Sequence, residues 1–158
     1  MALNSEGMAY FFGMLFGKEV VVNQGEAIRV ESSDSVAVCT YRDARGKIVA
    51  GCLFDFSMAA YSSAALSMIP AGAAEDAIEE NSLPESLQEN LHEVFNVAVG
   101  FFGNGKVGPN LRLHEMSVYP PEDTDQLAGT LSSISARKGY AVDIEDYGSG
   151  NMILFLMA

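Results

Sequence analysis

The chain has 158 residues, long enough for a hydrophobic core, and we expect a single domain over residues 1–158. Its apolar fraction of 49% and mean hydropathy of +0.14 argue against an intrinsically disordered chain. Nine Lys and Arg residues stand against 21 Asp and Glu residues, which gives a formal net charge of −12. This charge argues against nucleic acid or an anionic membrane surface as a partner, because both attract clustered positive charge.

The expected location of the chain is the cytoplasm. No apolar run approaches the roughly 18 residues that would indicate a membrane span. The N-terminus has neither the basic region nor the A-x-A cleavage site of a secretory signal. Cys39 and Cys52 fall in apolar, strand-like runs, far from the spacing of a CxxC motif. We therefore interpret them as reduced core residues rather than as a disulfide or as zinc ligands.

The chain begins with a predicted helix and a predicted strand. The apolar run MAYFFGMLF indicates a helix over 4–16, with Asn4 or Ser5 as its N-cap and Gly17 at its end. The β-branched residues of 19–23 predict the strand.

Further strands are predicted next. Residues 26–31 weakly indicate one, ended by a turn at 32–34. Segments 35–42 and 47–56 are the clearest strand pair, because a short polar loop with a glycine joins them. The second segment is apolar along most of its length, so we expect it near the centre of a sheet.

Three helices are predicted after the hairpin. The first, over 57–69, is rich in small residues and stops at Pro70, and the second is a short acidic helix over 73–80. The third, over 83–102, has Pro84 in its first turn and glycines at its exit.

The last part of the chain predicts two more strands and a further helix. A strand over 111–119 is ended by Pro120, and a helix follows over 123–134. The strands 140–147 and 151–157 form a closing hairpin around the glycines of 148–150. The order of elements predicts an α+β fold, a mostly antiparallel sheet with helices packed on its faces.

The helix over 83–102 carries the most informative pattern in the sequence. Its apolar residues recur at steps of three and four, which indicates a broad buried face. Glu89, Glu93, Asn96 and Gly100 are spaced by four, three and four residues, so they form one polar stripe along the helix. An amide can donate to and accept from a water, and a carboxylate can bind an ammonium group of a partner. A merely solvated helix face explains the same stripe, because Glu and Asn are mostly exposed in any protein.

Other short motifs are present, but the residues and predicted elements around them exclude a dinucleotide site and a zinc site. Residues 103–108 match G-x-G-x-x-G, but the match follows a helix and precedes a strand, the reverse of a dinucleotide site. His92 and Glu93 begin an H-E-x-x-H pattern whose fifth position is Asn96, so a second zinc ligand is missing. His114 has no such companion, and we expect both histidines to be surface or half-buried polar residues.

The segment Glu93-Val94-Phe95-Asn96, in the middle of a long helix, resembles the motif of the CheC/CheX/FliY family of chemotaxis phosphatases. The family motif has an Asp or Ser, then Glu, then Asn, and a Pro some twenty residues later. This chain has Glu89 at the first position, and Pro120 follows about two residues late. The resemblance covers most of the chain and is closest to CheX, because only one such motif is present.

The resemblance implies a phosphatase acting on a phosphorylated CheY-like receiver domain. Asn96 would orient a water toward the aspartyl phosphate, Glu93 would pair with a Lys of the receiver, and Glu89 would be an accessory residue. The receiver would supply Mg2+, so the chain would need no metal or other cofactor of its own. A homodimer is implied as well, and the segments MAYFFGMLF and MILFLM could supply its apolar surface, although core burial explains them equally well.

Two other functions remain open from the sequence. The first is a non-catalytic CheC/CheX-like module that binds a receiver or itself, which the Glu89 departure favours. The second is a small-ligand binding domain on which the acidic stripe is only solvated.

Overall fold

A computed structural model describes residues 4–25, 35–102, 110–119, 129 and 132–157. Within these residues the chain forms four α-helices, one 3-10 helix and six β-strands. In chain order they are α1 (Ser5–Phe16), β1 (Val20–Gln24), β2 (Val36–Arg42), β3 (Ile48–Asp55), α2 (Phe56–Leu66), α3 (Ala71–Glu80), α4 (Glu85–Ala98), the 3-10 helix (Val99–Phe102), β4 (Arg112–Tyr119), β5 (Ile134–Ile144) and β6 (Gly148–Met157).

The six described strands form one antiparallel sheet in the order β1-β5-β6-β3-β2-β4. This confirms the predicted α+β class and the central position of β3. Cys39 lies directly opposite Cys52 on the β2–β3 pair, and both thiols are free and buried, as predicted. None of the helices in the described ranges combines the length and the apolar character needed to span a bilayer.

Local sequence signals explain where two of the helices begin and where one of them ends. The Asn4 side chain accepts a hydrogen bond from the Gly7 N–H at 2.8 Å, and Gly17 ends α1 with a φ of 66° that favours glycine. Asp55 caps α2 by accepting from the Met58 N–H at 2.9 Å. Helix α2 therefore starts at Phe56, one residue earlier than predicted.

The two faces of the sheet bury different residues. The helices cover one face, where alternate strand residues such as Cys39, Tyr41 and Cys52 join the main core. The other face carries a smaller buried cluster, made of Val36, Val38, Leu53, Ile153 and Phe155.

The predicted hairpin tip at 148–150 is wrong. The turn lies at Glu145–Tyr147, where Asp146 has a φ of 68°, and Gly148 and Gly150 belong to strand β6. These glycines serve close packing instead of a turn. A Cβ on Gly148 would lie 2.6 Å from the Tyr61 ring, and one on Gly150 would lie 2.5 Å from the Met58 backbone.

The predicted helix over 123–134 is wrong at its end. Strand β5 begins at Ile134, six residues before the predicted strand, and it pairs with β6 along its length. The long pairing with β6 explains the early start of β5, because strand formation depends on cross-strand neighbours more than on local propensity. Of the rest of that predicted helix, residues 123–128 and 130–131 lie outside the described residues, and 132–133 form a turn before the strand. The weak strand over 26–31, the turn at 32–34, the glycines after α4 and Pro120 also lie outside the described residues.

Candidate functional site

Helix α4 presents one apolar face to the core, as its pattern predicted. Five side chains on that face are buried: Leu87, Leu91, Val94, Phe95 and Ala98. The Phe95 ring packs against Phe54 of β3 with centroids 4.6 Å apart. The predicted helix over 83–102 continues past Ala98 as the 3-10 helix, whose Phe101 and Phe102 are also buried.

Two polar contacts fix α4 relative to the rest of the fold. The Asn90 amide donates to the Ser63 carbonyl at 2.9 Å and to the Ser67 hydroxyl at 2.8 Å, which ties α4 to α2. The buried Tyr41 hydroxyl donates to the Phe95 carbonyl at 2.5 Å, which ties the final turns of α4 to β2. The sequence reading missed both contacts. The alternation of β2, which points Tyr41 toward the helices, is the signal that could have indicated the second.

The opposite face of α4, together with the start of the 3-10 helix, carries the polar stripe of Glu89, Glu93, Asn96 and Gly100. All four residues are exposed. The structure thus brings the three predicted site residues onto one solvent-facing side of a helix whose buried side is fixed. Among the described residues, no hydrogen bond or ion pair engages the side chains of Glu89, Glu93 or Asn96.

The chemistry available to this stripe follows from its residue types. Helix α4 contains no Lys or Arg, so its carboxylates have no intrahelical counter-charge and favour a cationic partner. The Asn96 amide has two donors and an acceptor free for a water or a polar partner. Across the described ranges, no group of three or more His, Cys, Asp or Glu side chains is placed to hold a metal ion. His92 and His114 are both exposed.

An apolar groove borders the C-terminal end of the stripe. It has a volume of about 730 Å³, lies between α1 and the end of α4, and includes Gly100 in its wall. Tyr10 and Met14 of α1 are 72% and 70% exposed beside it. Of the two apolar segments considered for a dimer, the first exposes large side chains here, whereas Met152 to Phe155 of the second are buried.

No protein-family model and no curated protein matches this sequence. Solved structures do match the fold. A chain of the crystal structure of the CheX–CheY–BeF3–Mg2+ complex from Borrelia burgdorferi has a TM-score of 0.57 and 12% sequence identity, and the match covers 95% of this chain and 93% of that one. The FliM middle domain from Vibrio alginolyticus has a TM-score of 0.54 and 9% identity, covering 97% of this chain and 88% of that one. FliY from Thermotoga maritima has a TM-score of 0.49 and 13% identity, and the match covers 100% of this chain and 93% of that one.

These matches define the class of fold. The first two place the chain among the folds of the CheC/CheX/FliY type, which confirms the predicted resemblance at the level of architecture. At identities of 9% and 12% the likeness concerns the fold alone.

Proposed function

We propose that this chain is a phosphatase that accelerates hydrolysis of the aspartyl phosphate of a CheY-like receiver domain in two-component signalling. The observation that carries the proposal is the exposed pair Glu93 and Asn96, one turn apart on α4. No described residue engages either side chain, so a carboxylate and an amide are available together to a second protein.

In the proposed mechanism, Asn96 enters the phosphoryl site of the receiver and orients a water for in-line attack. The water oxygen bonds to phosphorus while the bond to the aspartyl oxygen breaks, which releases inorganic phosphate and restores the receiver carboxylate. This is catalysis by positioning, comparable to the water-orienting Gln of GTPases. Mg2+ is held by the receiver, and the chain contributes no metal.

Glu93 supplies the electrostatic contact in this mechanism. Its carboxylate pairs with the active-site Lys of the receiver, and a charge-assisted bond of this kind is roughly twice as strong as a neutral one. Glu89, one turn earlier, adds negative charge and acts as an accessory. The fold shared with a chain of the CheX–CheY complex supports a CheY-like receiver as the partner.

The test follows phosphate release from a phosphorylated receiver with and without the chain. We expect the wild-type chain to accelerate release, and Asn96→Ala to lower that acceleration about 100-fold, because the loss of correct positioning of a reacting group can cost a factor of this size. Glu93→Gln should mainly raise KM, since it removes the charge that binds the Lys.

The matched control is Asn23→Ala, which removes another exposed Asn, on β1 and away from α4. It should behave as wild type. Acceleration that survives Asn96→Ala unchanged would refute the mechanism.

A second candidate is a receiver-binding module without turnover, which is favoured by Glu89 at a position where the family motif has Asp or Ser. The same experiment separates the two candidates. A complex with the phosphorylated receiver that leaves phosphate release unchanged identifies the module.

A further inference from the structure

Positive charge is unevenly placed in this acidic chain. Arg42, Arg45, Lys47 and Arg112 are four of its nine Lys and Arg residues. They lie together at one end of the sheet, because the β2–β3 turn meets the start of β4 there. This concentration in a chain of net charge −12 marks a local site for negative charge.

Two of these residues are placed directly against each other. Arg42 of β2 and Arg112 of β4 are register partners, and both are exposed. Like charges directly opposite on neighbouring strands are destabilising unless something compensates them. Among the described residues one ion pair is formed, between Lys18 and Asp146. No described carboxylate therefore forms an ion pair with Arg42 or Arg112.

The two arginines line a cleft of about 380 Å³, together with Asp43, Ala44 and Asn110. The Asp43 carboxylate is engaged in the turn, because its Oδ1 accepts from the backbone N–H groups of Arg45 and Lys47, each at 2.9 Å. The lining of the cleft therefore contains two arginines against one carboxylate, and that carboxylate is already engaged in the turn. The Asn110 amide adds neutral donors.

We propose that this cleft, here called the Arg42–Arg112 cleft, binds a phosphate-type dianion, either free phosphate or the phosphate group of a small monoester. Each guanidinium presents a planar fork of N–H donors that fits two oxygens of such a group. A dianion matches the two positive charges and removes their mutual repulsion. The cleft lies on β2, β4 and the turn, not on α4, so the proposal is independent of the receiver phosphatase.

The direct test titrates the ¹⁵N-labelled full chain with inorganic phosphate at constant ionic strength, set with sodium chloride. We expect saturable amide shift changes confined to 42–47 and 110–112. A second titration with glycerol phosphate distinguishes the two sources. Glycerol phosphate saturates the same amides only if the cleft accepts the phosphate group of a monoester.

Matched variants make this test specific. Arg112→Gln should weaken phosphate binding at least 10-fold, whereas Arg45→Gln, in the same turn but outside the cleft lining, should change it less than 3-fold. Equal weakening by both variants, or shift changes that never saturate, would overturn the proposal and indicate general screening.

A ligand-free measurement gives an independent check. In low salt without phosphate, Arg112→Gln should unfold at the same or a higher urea midpoint than wild type, because it removes a like-charge contact. A lower midpoint would mean that Arg112 already has a structural partner, and the proposal would fail.

Discussion

Asn96 and Tyr41 act on opposite sides of the same turn of α4. The Asn96 side chain points to solvent, while the Phe95 carbonyl, one residue before it, accepts from the buried Tyr41 hydroxyl. The 3-10 helix begins at Val99, so this carbonyl belongs to the last turn of α4. Carbonyl groups at the end of an α-helix lack intrahelical N–H donors. Tyr41 thereby holds the backbone that presents Asn96.

Removing the Tyr41 hydroxyl should therefore destabilise the fold. Tyr41→Phe keeps the ring but leaves the Phe95 carbonyl buried without that donor, and we expect a loss of about 1–3 kcal/mol in the free energy of unfolding. Urea unfolding measures this loss. Tyr10→Phe, on a tyrosine that is 72% exposed, is the control and should cost almost nothing. Equal stability of the two variants would contradict the role of Tyr41.

At the scale of elements, helix α2 and strand β6 lie in close contact. The small residues of α2 let its backbone approach the strand, and two glycines of β6 leave the necessary space. Asp55 reinforces the junction, because its carboxylate caps α2 and also accepts from the Asn151 backbone at 3.1 Å and side chain at 2.9 Å. The closing strand is in this way fixed to the start of a helix almost a hundred positions earlier in the chain.

A single methyl group should disrupt this contact. Gly150→Ala would place its Cβ 2.5 Å from the Met58 backbone, so either α2 or β6 must shift, at a cost of roughly 1–3 kcal/mol or more. The control is Gly72→Ala in α3, where a Cβ would meet nothing within 4 Å. This variant should raise the free energy of unfolding by up to about 1 kcal/mol. Thermal unfolding of both variants tests the contrast, and a harmless Gly150→Ala would show that the approach of α2 is adjustable.

At the scale of the whole molecule, the centre of the sheet buries titratable groups in their neutral forms. Burial raises the pKa of the Tyr41 hydroxyl well above its usual value, and the neighbouring Cys52 thiol adds to this effect. Burial also raises the pKa of Cys52 well above its usual value. Both groups lie between the strands and α4, so their ionisation is linked to unfolding of the whole sheet.

The free energy of unfolding should fall at alkaline pH. A raised pKa in the folded state means that the unfolded chain releases its proton at a lower pH. The contribution of each group to the free energy of unfolding is therefore fully present below its unfolded-state pKa and declines above it. The decline should begin near pH 8.5 for Cys52 and near pH 10 for Tyr41, at up to about 1.4 kcal/mol per pH unit for each group. Urea unfolding between pH 7 and pH 10.5 measures it. Tyr41→Phe should show a shallower decline above pH 10, and a flat profile in the wild-type chain would contradict the linkage.

Much of the architecture could be predicted because its signals are local. Residues only a few positions apart determine the caps of α1, the hairpin of β2 and β3, and the apolar face of α4. The candidate pair Glu93 and Asn96 belongs to this group, since helical spacing alone places both side chains on the face opposite the buried one. Its role toward a receiver is a matter of chemistry with a second protein and stays a proposal.

The sequence by itself determined the fold class, the buried thiols and the exposed stripe of α4, because periodicity and composition decide which side of an element leaves water. Only the tertiary structure decided that Gly148 and Gly150 make room for a helix, that β5 starts at Ile134, and that Arg42 faces Arg112. The same holds for the Tyr41–Phe95 bond, which joins residues 54 positions apart. These features depend on which distant segments become neighbours, and that choice is made by packing of the whole sheet and its helices rather than by any local run of residues.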